Sequence, residues 1–476
     1  MKTVTKKTKW IFAIGQLGWS ILAGIITNLL VNFYLPDKTG DGVITFVTTA
    51  TYTFLGLTII GVITALGRIV DAVTDPWIAG ASDKCRHRLG KRIPFMRYSA
   101  IPFALVTVLI FCCPVRGESA WNIVWLAATM VIFYICMTAY CTPYNALIPV
   151  LGREQKDRMD ISTYISLTYI VGTGIAFSGK MVWEALVGFT GWDYYLCARI
   201  VLGVLAAIAL VCMLLPAFMI NEKDYDVSEP VKENTFKSLG KTFKNKQFRI
   251  FVLADILYWV GITIFNTGFI FYVENLLKLD MYMVLFVFMT LITFICYIPV
   301  NALAKKFGKK KLLIVGFILF AFAFLVSVFA GKITFIPNLV YGFIICVLVG
   351  VPLSILGVIP QAIVADIAEA DNVETGENHD AMFYAARTFA FKLGQSIAMV
   401  VFTSLAVISQ FIDIDGNIAN SGEGYRYGLL VAMVLCVLAA IACFFYNEKK
   451  VLKTINADHE GIADKDMATE KTATEE

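Results

Sequence analysis

The chain has 476 residues, 58% of them hydrophobic and only 16% charged, with a formal net charge of +4. Soluble chains run near about 45–50% apolar and about 25% charged, and no soluble interior of this size hides so much apolar side chain. The small positive balance sits in short clusters between apolar runs and gives no nucleic-acid signal.

A membrane-crossing helix needs about 20 mostly apolar residues. In chain order such stretches centre near Leu22, Ile63, Leu105, Ile132, Ile170, Leu205, Ile262, Phe294, Leu319, Val347, Ala398 and Leu435. Twelve transmembrane helices in an all-α membrane protein are therefore expected. The first stretch is preceded by four lysines but continues too long for a signal peptide and has no convincing cleavage site. The longest polar break, 221–247, divides the spans six and six. This gives an N-terminal six-helix bundle over 1–220, a cytoplasmic middle loop over 221–247, a second bundle over 248–447 and a disordered cytoplasmic tail over 448–476. The loop after span 2 (SDKCRHRLGKR) and that after span 8 (AKKFGKKK) are both basic clusters around a glycine, as two parallel repeats would give; any cytoplasmic loop also collects lysines.

Lys and Arg set the orientation. About 30 fall at the N-terminus, in the even-to-odd loops and in the tail, against about 6 on the other side, so both termini are expected in the cytoplasm. Ten of the eleven cysteines (all but Cys85) lie in or beside apolar stretches, where they act as small hydrophobes. With no CxxC pair and three histidines outside the spans, neither a zinc site nor a catalytic histidine is expected.

Charges at membrane depth each need a reason. In span 2, GRIVDAVTDPW, the residues Arg68, Asp71 and Asp75 share one helical face, with Thr74 beside the acids. Two carboxylates four residues apart repel unless a cation sits between them; Asp71, Thr74 and Asp75 could hold a desolvated sodium ion or pass a proton. The alternative is an Arg68–Asp71 pair that locks helix packing. Lys392 in span 11 has no acid nearby in sequence and needs a partner from another span, a substrate or water, unless it snorkels. Asp255 in span 7 suits a water-filled cavity or the interface, and Arg387 the cytoplasmic rim. Asn28, Asn145, Asn266 and Gln395 could bind a polar solute, or serve as interhelical glue. The basic loop with Arg86, Arg88, Lys91 and Arg92 and the acidic stretch with Asp366 and Asp371 fall on one side and are expected to pair as a gate.

The span-2 segment GRIVDAVTDPWIAGASDKCRHRLGKRIPF resembles the signature of the glycoside–pentoside–hexuronide:cation symporters, the melibiose-permease branch of the major facilitator superfamily. ADIAEADNVETGENHDAMFYAARTFAFKLGQS resembles that family's segment joining spans 10 and 11, and TPYNALIP with GREQKDR agrees. The resemblance implies the major facilitator fold, cation binding at Asp71 and Asp75, with Thr74 where an asparagine is frequent, and a span-11 lysine at Lys392. Three positions depart: the span-1 acid is Ser20, the span-4 acid is Cys141, and the span-5 arginine falls near Ile165 or Ser166. The implied function is a cation-coupled symporter of a small solute, a sugar or glycoside first and a lysolipid or other amphiphile second, driven by Na+ or H+, in the plasma membrane, without cofactor, as a monomer. A membrane enzyme or sensor is the different-class alternative; no nucleophile–base pair, metal cluster or output domain supports it.

Overall fold

The computed structural model describes residues 4–36, 43–47, 58–152, 155–225, 240, 242–333, 335–375, 380–408, 410–412 and 418–455. Twelve helices of 18 residues or more run through them. The first six are α1 (Lys6–Tyr34), α2 (Ile59–Lys84), α3 (Ile93–Ile110), α4 (Ala120–Ala146), α5 (Gln155–Thr190) and α6 (Tyr194–Met219). The second six are α7 (Lys246–Phe271), α8 (Tyr282–Phe307), α9 (Lys309–Val328), α10 (Asn338–Thr375), α11 (Asp380–Ile408) and α12 (Glu423–Phe444). Each contains one of the expected centres. Eleven are apolar enough to cross a bilayer on composition alone; α2 is the twelfth, its apolar content offset by Arg68, Asp71 and Asp75. A short antiparallel hairpin, β1 (Gln410–Ile412) with β2 (Ile418–Asn420), lies between α11 and α12.

The helices form two six-helix bundles. In the first, α1 packs on α5 and α6, α2 on α4, and α3 on α4 and α6; in the second, α7 packs on α11 and α12, α8 on α10, and α9 on α10 and α12. The bundles meet where α2 lies along α11 and α5 against α8, with a smaller contact of α1 on α7. Close approach depends on small residues: a Cβ on Gly172 of α5 would stand 2.8 Å from the Leu17 carbonyl oxygen of α1.

Five of the twelve helix starts are capped from their own sequence, which satisfies backbone N–H groups that have no partner inside the helix. Thr5, Thr58, Ser119, Asp193 and Asn245 accept from the first turns of α1, α2, α4, α6 and α7. The starts of α3 and α9 are capped from a distance. Glu222, buried just after α6, accepts from the amides of Arg92 (2.7 Å) and Ile93 (3.1 Å). Glu448, just after α12, accepts from the amides of Lys309 (2.7 Å) and Lys310 (3.2 Å). Each carboxylate lies against a glycine with positive φ, Gly90 at 113° and Gly308 at 89°. These are the glycines of the two basic loops, so the echo between those loops is one structural device used twice. Both glutamates stand in the tripeptide Asn-Glu-Lys, at 221–223 and 447–449.

The expected disordered tail needs a correction at its start. Residues 448–455 are helical, Val451 and Ile455 are buried, and Asn447 accepts from the Lys450 amide at 3.0 Å. Two apolar residues four apart anchor this turn to the second bundle. The rest of the tail and most of the 221–247 loop lie outside the described residues.

Removing the carboxylate in Glu222→Ala would strand two amides and a helix-end dipole in a buried site, a loss of about 1–3 kcal/mol. Glu222→Gln keeps one acceptor and should lose less. Thermal unfolding in detergent followed by size-exclusion chromatography should rank the proteins wild type, Gln, Ala; equal midpoints would show that the cap contributes nothing.

Candidate functional site

The charged groups of α2 and α11 meet where the two bundles touch. Asp71 is fully buried, whereas the Asp75 side chain keeps 20% of its exposure. The Lys392 ammonium lies 2.8 Å from Asp71 Oδ2 and 2.5 Å from Asp75 Oδ2. The other oxygen of each acid is taken by α4: Thr138 donates to Asp71 Oδ1 at 2.6 Å and Thr142 to Asp75 Oδ1 at 2.8 Å. One ammonium against two carboxylates leaves one negative charge in a site largely removed from water, where Coulomb attraction is strong. The hard oxygens of two carboxylates and two hydroxyls suit a monovalent cation in the place Lys392 occupies, and a carboxylate alone suits a proton.

Helical spacing explains the convergence. Asp71 and Asp75 are one turn apart on α2, and Thr138, Cys141 and Thr142 share one face of α4. The Thr74 hydroxyl donates to the Val70 carbonyl (2.9 Å) and approaches Thr138 Oγ1 (3.3 Å), so it touches the cluster through Thr138 rather than through the acids. Thr138 and Thr142 carry no separate sequence signal beyond a Thr-x-x-x-Thr spacing beside the TPYN motif. Arg68 does not lock Asp71: it makes no ion pair among the described residues, and its guanidinium lies 5.3 Å from the Tyr134 ring centre.

The helix of Lys392 is tied to its own bundle about one and a half turns earlier. Arg387 donates through Nε to Asp255 Oδ2 (2.7 Å) and through Nη2 to Asp255 Oδ1 (3.1 Å), with both residues buried. Neither the expected cavity role of Asp255 nor the expected rim position of Arg387 holds, because burial makes each charge costly without the other. Of the amides, Asn28 is buried in α1, Asn266 half-buried in α7 and Asn145 exposed at the end of α4. Gln395 is one turn beyond Lys392, and its buried Oε1 has no hydrogen-bond partner. Ser20 faces Gly172 of α5 and donates to the Gln16 carbonyl at 2.6 Å, while Ser166 donates to the Ser162 carbonyl.

Three of the six expected gate residues have partners next to their own bundles. Arg92 lies 3.9 Å from Glu222, Asp366 accepts from Lys309 at 2.6 and 2.7 Å, and Asp371 accepts from Asn245 at 2.9 Å. Arg86 and Arg88 are exposed and Lys91 is half-buried. At the opposite end the bundles are joined. Lys180 of α5 donates to both oxygens of Glu274, at 2.7 and 2.6 Å, and the Tyr282 hydroxyl of α8 lies 3.0 Å from the Met181 amide. Glu274 sits in a π-helical turn, Tyr272–Leu276, that extends α7. In the sequence Lys180 reads only as a minor charge on the less basic side.

A family model described as MFS/sugar transport protein matches residues 12–450. The isoprimeverose transporter of Lactiplantibacillus pentosus is 23% identical, over 84% of this chain and 83% of that one. The sodium-dependent lysophosphatidylcholine symporter 1-A of Danio rerio is 23% identical, over 78% and 72%. The solved structure of the nucleoside transporter NupG superposes with a TM-score of 0.63 at 14% identity, covering 92% of this chain and all of that one, which establishes the shared fold. The chain is a multi-pass membrane transporter and not an enzyme, and it belongs to the MFS/sugar transport protein family.

Proposed function

We propose that this protein takes up a sugar or glycoside coupled to sodium, acting as a monomer, with the basic-loop face cytoplasmic. The observation that carries the reading is the cluster of Asp71, Asp75 and Lys392 at the boundary of the bundles. Two carboxylates from α2 and two hydroxyls from α4 converge there, which favours a coordinated ion over a bare proton. Without sodium, Lys392 neutralises part of the acid pair and ties α11 to α2. Sodium displaces the ammonium, which frees the bundles 1–220 and 248–447 to rock about the central site. Arg86, Arg88, Lys91 and Arg92 pair with Asp366 and Asp371 when the cytoplasmic side closes. Lys180 and Glu274 fasten the opposite side in the conformation described. The departures at Ser20, Cys141 and Ile165/Ser166 favour a second reading, in which the solute is an amphiphile.

Asp71→Asn and Asp75→Asn keep shape but remove charge, and each should abolish sodium-driven accumulation while solute exchange persists. Vesicle uptake with and without a sodium gradient measures this; full accumulation in both variants would sink the assignment. Uptake driven equally by a proton gradient in sodium-free buffer would replace sodium with H+ as the coupling ion.

Lys392→Ala removes the competitor for the acids. Sodium binding to the purified carrier should tighten by about tenfold or more, about 1.4 kcal/mol per factor of ten, while solute transport falls. Unchanged sodium affinity would mean that the ammonium does not compete.

For the outer fastening, Lys180→Glu sets like charges against Glu274 and should depress uptake. The double exchange Lys180→Glu with Glu274→Lys should restore much of it. Equal uptake by single and double variants would count against a fastening role.

A further inference from the structure

The two bundles present matching tryptophans at the same depth. Trp19 stands thirteen residues past the first residue of α1, and Trp259 thirteen past the first residue of α7. These helices open their respective bundles, touch one another, and are the most buried of the eleven apolar spans. Each indole faces an aromatic ring on a second pair of corresponding helices. Trp19 lies 6.4 Å from Tyr169 of α5, and Trp259 lies 4.8 Å from Phe391 of α11 with the rings 25° apart. Both tryptophans are half-buried, and the Nε1 of each is buried without a hydrogen-bond partner. Phe391 immediately precedes Lys392 in α11. Gln395, one turn further along α11, adds the unpartnered Oε1.

A buried indole N–H without an acceptor is costly, and two of them in corresponding places ask for the same partner. The sugar-clamping acid and arginine that the resemblance implies are replaced here by Cys141 and Ile165/Ser166. Among the buried polar atoms without a partner, these two N–H donors and this one amide oxygen lie on corresponding helices of the two bundles, and each donor sits on the edge of a large apolar face. That combination suits a ligand with flat C–H faces and hydroxyl or ether oxygens at their rims.

We propose that Trp19 and Trp259 are the specificity-determining platforms of the transport site: each stacks on one ring of a two-ring glycoside and donates its indole N–H to a ring-edge oxygen, with the Gln395 oxygen accepting from a hydroxyl. This rests on the sugar reading above. Because the platforms belong to different bundles, a two-ring ligand spans the boundary that must open and close, whereas a single ring engages one bundle at a time.

The test measures sodium-driven uptake into vesicles of four labelled probes: isoprimeverose, xylose, glucuronate and lysophosphatidylcholine. The wild-type carrier should prefer isoprimeverose. Trp19→Ala and Trp259→Ala should each raise its KM by about tenfold, the scale of one lost stacking face and hydrogen bond. Trp19→Phe and Trp259→Phe, which keep a ring and lose the N–H, should raise it by about threefold. Sodium binding to the purified variants should stay at the wild-type value, which separates a lost sugar contact from a damaged fold. An unchanged KM in both alanine variants overturns the proposal, as does preference for xylose or glucuronate, although the sugar reading then survives. Uptake of lysophosphatidylcholine alone, or of none of the four, defeats both.

Discussion

The contact on which the rest depends is one ammonium set between two carboxylates of the opposite bundle. Lys392 belongs to α11 and its partners Asp71 and Asp75 to α2, so the acid pair is partly neutralised by the ammonium only when the bundles touch. A lysine alone at that depth, or the two acids alone, would be expensive. Any ion that takes over the carboxylates also removes a tie between bundles, so ion occupancy and relative bundle position become one equilibrium.

The supports around this contact are arranged to keep it there. Thr138 and Thr142 fix the carboxylate oxygens that Lys392 does not use, which orients the acids toward α11. Arg387 and Asp255 fasten α11 to α7 about one and a half turns from the lysine. A buried bidentate pair gives little net stability over apolar packing, but it is strongly directional. Its value here is positional, because it makes Lys392 move with the second bundle as a unit.

What could be read from the residues follows physical range. Twelve spans were legible because lipid demands long apolar runs, and α2 declared itself by charges that its neighbours lack. Asp71 and Asp75 stood out because helical spacing is local, and Lys392 because it lacked a local partner. Asp255 and Arg387 are 132 positions apart, and nothing local distinguishes a residue paired across helices from one facing water. Thr138 and Thr142 stayed hidden because a membrane threonine satisfies itself on its own helix as readily as it serves an acid, as Thr74 and Thr129 do. Lys180 was masked by the orientation rule, which counts charges by side and does not ask what they touch.

The repeat explains which features come in pairs and which do not. The glutamate caps at Glu222 and Glu448 and the indoles at Trp19 and Trp259 occur once per bundle, so each serves the bundle as a folding unit or as one half of a shared surface. The ion cluster breaks the symmetry: both acids belong to the first bundle and the lone ammonium to the second. A symmetric arrangement, with an acid and a lysine in each half, could close its charges inside each bundle and would leave the interface indifferent to ions. Separating the signs across the boundary forces the neutralising contact to be an inter-bundle contact. The asymmetry is therefore the feature that lets a small cation act on the relation between two otherwise similar halves.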